Sequence, residues 1–246
     1  MATQNGADGP RNQIQSKQQE RAQRILDAAA ELILRWGYDK TTVDDISQKA
    51  DVAKGTIYLH WKTREELFEA LLRRESLALM EDLKRRISQD PGGATLRGNY
   101  KQTALALINR PLLKAVMLGD REIIGKMART EQNQPSYERR LSGFYIYLDF
   151  LRSRGLIRSD ISFQAQVYAV TAIFSGFFML APLVPNEMRL SDEEIAELIG
   201  ETIHRTFETG SDISAAEMQD LSAGFIAYLD EIQKNSQVYL QQTLQA

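Results

Sequence analysis

The chain has 246 residues, of which 43% are apolar and 26% charged, an ordinary soluble composition with enough length for one or two domains and a substantial core. Cys is absent and His60 and His204 are the only histidines, which excludes disulfides, cysteine nucleophiles, zinc–thiolate centres and histidine-rich metal sites. The formal net charge of -3 excludes a globally basic nucleic-acid binder, so any such function must sit on a local patch.

Punctuation along the chain is that of an all-α protein, with apolar residues three or four apart between Gly, Pro and Ser/Thr caps. Residues 1–15 are polar, lack the apolar stretch of a signal peptide and read as a mobile tail in a cytoplasmic protein. A first helix then carries Ala22, Ile25, Leu26, Ala29, Leu32, Ile33 and Trp36 on one stripe and stops at Gly37. Four later helix starts pair Ser or Thr with an acid three residues on: Thr42 with Asp45, Thr63 with Glu66, Ser191 with Glu194 and Ser214 with Glu217.

Between Thr41 and Arg64 two short helices meet at a break over Asp51–Ala53. Ile46 and Ala50 on the first, with Ile57 and Trp61 on the second, form a small core against the first helix and Leu67, Phe68 and Leu71. That is a helix-turn-helix in a three-helix bundle, occupying residues 16–70. Its second helix turns Lys54, Thr56, Tyr58, Leu59 and His60 outward. No acid occurs between Asp51 and Glu65, although the window from Arg11 to Glu75 holds 12 Lys/Arg against 11 Asp/Glu. The basic feature is therefore a stripe, suited to phosphates and base edges, and equally compatible with a solvated face of a helical hairpin.

Order and spacing in this stretch resemble the TetR family of bacterial transcriptional regulators. The resemblance lies in Gly37-Tyr38, Thr41-Thr42-Val43-Asp44-Asp45-Ile46, the block Lys54-Gly55-Thr56-Ile57-Tyr58-Leu59-His60-Trp61 and Lys62-Thr63-Arg64-Glu65-Glu66-Leu67. It implies a DNA-binding surface of Thr42, Lys54, Gly55, Thr56, Tyr58, His60, Lys62 and Arg64, with Tyr58 and Arg64 on phosphates. Trp61 stands where the family commonly has Phe, and Ala53 where Ser is frequent. The resemblance also implies a homodimer on a double-stranded operator and a helical domain, here residues 71–246, that binds an effector and dimerises.

Within that domain the 18-residue run Val167–Val184 is long enough for a marginal membrane span, but its two faces differ and a buried helix is expected instead. Ala165, Ala169, Ala172 and Gly176 fall within about 60° of one another, a stripe that permits close helix approach either across a dimer or within one subunit. Ile195, Ile199 and Ile203 on the next helix would complete the dimer contact. Tyr100, Met117, Phe144, Tyr147, Phe174, Phe177 and Phe178 are candidates to line a pocket for an apolar or aromatic effector, or simply to fill the core. A further amphipathic helix, about 213–242, extends the chain beyond the usual architecture. No catalytic, metal or cofactor motif is found, and the competing readings are a helical protein-interaction module or a helical enzyme.

Overall fold

The structure, a computed structural model, describes residues 9–126 and 145–244. Eleven α-helices occur among them. The first seven are α1 (Gly9–Trp36), α2 (Val43–Lys49), α3 (Lys54–His60), α4 (Arg64–Gln89), α5 (Leu96–Ile108), α6 (Pro111–Leu118) and α7 (Arg121–Ile124). Helical residues 145–153 form α8, followed by α9 (Phe163–Leu180), α10 (Asp192–Phe207) and α11 (Ala215–Leu244). Among the described residues the only β-type contact is an isolated bridge between Ile157 and Glu208. The candidate pocket residue Phe144 lies outside the described residues.

The expected starts are built largely as the spacing requires. Thr42/Asp45 and Ser191/Glu194 close as reciprocal boxes, and Ser214/Glu217 makes the same pair of bonds. At α4 only half the box forms: Glu66 N–H donates to Thr63, while the Glu66 carboxylate accepts from the Lys62 amide one residue further back. One boundary needs correction. α1 begins at Gly9, so residues 9–15 belong to the helix and not to the tail; after Pro10 no residue in that stretch breaks a helix.

α1 to α3 and the start of α4 enclose Ile25, Leu26, Ile33, Ile46, Ile57, Trp61, Leu67, Phe68 and Leu71, each fully buried. Trp36, expected on that stripe, is instead 42% exposed at the helix end. α4 runs without a break through the expected boundary at residue 70 into the second half of the molecule. There α5 packs against α10, α11 lies along α4, and α9 contacts α10 and α6.

α9 is the apolar helix, and among the described residues little of it is covered: 22% of its apolar window is buried. Gln166, Val170 and Phe174 turn fully inward, Gln166 accepting from the Arg152 side chain and donating to the Arg158 carbonyl. Tyr168, Met179 and Leu180 face outward. The expectation of a buried helix is thus met on one face only.

The turn after α1 joins the two halves directly. Gly37 takes a left-handed φ of +81°, and the Tyr38 amide donates to the Ile123 carbonyl of α7 at 2.8 Å. A Cβ on Gly37 would lie 2.3 Å from the Glu122 carbonyl oxygen, so only glycine permits this approach.

Candidate nucleic-acid interface

Two short helices set the interface. α2 ends in a turn whose residue Asp51 adopts φ +52°, a conformation that Asp tolerates better than most side chains. The turn is closed by the Val52 amide donating to the Ser47 carbonyl at 3.0 Å. Ile57 and Trp61 then fix the roll of α3 by facing inward. At about 100° per residue this leaves Gly55, Tyr58 and Leu59 on the opposite arc.

The exposed surface matches that geometry. Tyr58 is 40% and Leu59 63% exposed, Lys54 and Lys62 are exposed, and Gly55 faces open space. Thr56 is half-buried beside them. Lys54 pairs with Asp44 at 2.8 Å, and the hydrogen bond to that carboxylate raises the ammonium above its ordinary pKa. Thr42 is exposed, but its hydroxyl is engaged in the cap of α2, donating to Asp45 at 2.6 Å and accepting from the Asp45 amide. Bonds from the Thr42 hydroxyl and amide hold the Asp45 carboxyl below the usual range.

Two expected contacts are placed elsewhere. His60 is only 7% exposed, with its ring 5.3 Å from that of Trp61. It follows the buried Ile57 by three residues and so lies on the inward face. Arg64 is half-buried in the first turn of α4, from which a side chain leans back toward the preceding chain. Its Nη1 donates to the Thr41 carbonyl at 3.1 Å and its guanidinium lies 4.2 Å over the Tyr38 ring. Arg64 therefore braces the turn that holds α1 to α7. Conversely, Leu59 was visible on the outward face yet absent from the expected contact set; its exposure on α3 suits apolar contact with a thymine methyl group.

The candidate effector residues divide. Phe174 meets both Tyr100 and Phe178 edge to face, with centroids 5.2 Å apart in each of the two contacts. Tyr147 packs on Phe225 and donates to the Ala94 carbonyl, Phe177 is half-buried, and Met117 is 48% exposed on the outside of α6. A cavity of about 240 Å³ lies elsewhere, between the start of α5 and the end of α10, beside Leu151, His204 and Glu208. None of the expected residues lines it.

The candidate dimer residues divide too. Ala165, Ala172 and Gly176 are exposed on α9, with Ala169 and Ile195 half-buried. Ile199 and Ile203 are fully buried, because the apolar stripe of α10 is spent on α5 of its own chain. They belong to the subunit core.

Residues 25–71 match the sequence signature of bacterial regulatory proteins of the tetR family. The uncharacterized regulator YvkB of Bacillus subtilis is 45% identical over 53 residues, 22% of this chain and 28% of that protein. The chain thus spans about a third or less of the first curated relatives it matches. TtgR of Pseudomonas putida is 25% identical over 204 residues, 80% of this chain and 91% of TtgR. Among solved structures, NalD of Pseudomonas aeruginosa, the secondary repressor of the MexAB-OprM multidrug efflux pump, has a TM-score of 0.54 at 20% identity, covering 80% of this chain and all of NalD. Residues 25–71 thus carry the signature of the tetR family of bacterial regulatory proteins, and the chain as a whole shares the helical fold of NalD.

Proposed function

We propose that the chain is a homodimeric repressor of transcription in the cytoplasm, released from its operator by a small apolar effector. The exposed face of α3 carries this reading: Lys54, Gly55, Tyr58 and Leu59 stand together on the second helix of a helix-turn-helix, with Lys62 at its edge. Lysine and tyrosine supply phosphate donors, while Thr56 and Leu59 offer short polar and apolar groups for base edges. The reading assigns no catalytic role to any residue.

A second copy of the chain is the partner for the bare face of α9. Tyr168 is 79% exposed there, next to a stripe of Ala165, Ala172 and Gly176 whose small side chains allow close approach. Two-fold pairing would set two copies of α3 for half-sites about 34–36 Å apart or a multiple of it. The described part of the regulatory half presents a packed aromatic cluster, which supports an effector entering by opening Tyr100, Phe174 and Phe178 rather than filling a formed cavity there.

The test is a mobility-shift titration against duplexes selected from a random pool, at low and high salt. A specific duplex bound with steep salt dependence supports the reading. Failure to select any sequence, with the protein folded, sinks it.

A further inference from the structure

α11 is a single 30-residue helix with a long stretch to which the proposed DNA-binding and dimer readings assign no role. Its first half is anchored. Leu221, Phe225 and Leu229 are buried, Phe225 packs on the Tyr147 ring 4.7 Å away, and Asp230 pairs with Lys84 of α4 at 2.6 Å. Gln233 adds two bonds to α4, accepting from Lys84 and donating to Glu81. These pairings fix an antiparallel register, since α11 advances from 230 to 233 as α4 recedes from 84 to 81.

From Phe225 to Leu244 the helix contains no Gly or Pro. Beyond Gln233 it continues for eleven residues, to Leu244, or about 16 Å at ~1.5 Å per residue. An equal step along α4 passes Arg74, which holds Asp27 of α1 at 2.6 Å and Gln23 at 3.2 Å. α11 also touches α1, and the register with α4 puts that contact in its distal part. The far end of α11 thus meets the first helix of the DNA-binding domain, while its near end is fastened to the regulatory half.

We propose that the distal half of α11 is a strut that braces α1 and fixes the orientation of the helix-turn-helix domain on α4. Operator affinity is then set in part by a helix that lies away from the α3 face. Fit to two half-sites depends on the spacing of the two α3 helices, and only the fraction of molecules with the right spacing binds well. Removing the brace widens the swing of the domain and lowers that fraction. The operator arm of this inference rests on the DNA-binding reading; the geometric arm does not.

Ser236→Pro in the full-length chain tests it, because Pro removes an amide bond to the carbonyl four residues back and breaks the helix beyond its anchor. Ser236→Ala is the control, and a Ser236→Gly/Tyr239→Gly pair is a second, gentler way to loosen the same segment. The chain lacks Cys, so Gln48→Cys on α2 and Glu193→Cys on α10, both exposed positions, can carry a dye pair. Labelled chain is diluted into unlabelled chain so that one subunit is read.

A broadened dye-to-dye distance distribution in both loosened variants, with operator affinity reduced about tenfold as the competent fraction falls to a tenth, supports the strut. Broadening in a protein that binds no DNA even with Ser236 intact supports the strut and sinks the DNA-binding reading. An unchanged distribution in both loosened variants, or a broadened one with unchanged operator affinity, overturns the strut.

Discussion

Arg64 and Lys62 stand two residues apart with different surroundings, and their replacement separates two kinds of arginine or lysine effect. Arg64 is tied to the Thr41 carbonyl and the Tyr38 ring. Arg64→Ala is expected to destabilise the domain by about 2–3 kcal/mol, from a charged hydrogen bond and a cation–π contact. Lys62→Ala should leave the melting temperature unchanged and flatten the salt dependence of operator binding by about one unit per subunit. Denaturant titration beside a salt series reads both; a stable Arg64→Ala protein with the flatter slope would return that guanidinium to a phosphate. Gly37→Ala is a sharper case. The new Cβ meets the Glu122 carbonyl at 2.3 Å in a left-handed backbone, so a loss of at least about 1–2 kcal/mol is expected from the backbone conformation before any clash is counted. A Gly37→Ala chain that melts with the parent would show that the turn can leave α7 freely.

Helices and their caps were legible because local chemistry decides them. Thr42, Ser191 and Ser214 each find the acid three residues on whatever the rest of the chain does. What covers each face was less legible, because a stripe of apolar residues does not say which neighbour it meets. Ile195, Ile199 and Ile203 read as one stripe for a partner, yet α5 of the same chain takes the two deepest. His60, placed on the outward face and at the DNA by the resemblance, differs for a related reason: its spacing from Ile57 turns it toward Trp61. These differences give paired expectations for α9 and α10. Ile199→Ala should cost about 2–5 kcal/mol of stability as a core truncation and leave the mass in solution unchanged. Ala172→Arg should keep the helix content and halve the mass seen by light scattering, since a long cation is not tolerated unpaired in a dry contact. A dimeric, folded Ala172→Arg protein would remove α9 from the interface.

Across the whole molecule the buried phenols set an alkaline limit. Burial pushes Tyr100 and Tyr147 well above the ordinary tyrosine value, and Tyr228 to about 12. A raised value in the folded state means that stability is complete below the unfolded value of about 10. It is lost progressively as pH rises from there toward the folded values, because the unfolded chain releases those protons first. Melting temperature should therefore decline from about pH 10 upward. Phenolate absorbance from Tyr100 and Tyr147 should appear together with unfolding; their ionisation in a protein that keeps its helical signal would contradict their burial.

The outward-facing Tyr168, Met179 and Leu180 bear on how the molecule comes into being. On the homodimer reading, a newly finished subunit shows water an apolar face of α9 that the described residues leave bare, so its safety from aggregation depends on meeting a second subunit soon. Assembly then belongs to the folding reaction itself. Melting temperature should rise with protein concentration by mass action, and dilute preparations should lose material to precipitation before they lose secondary structure.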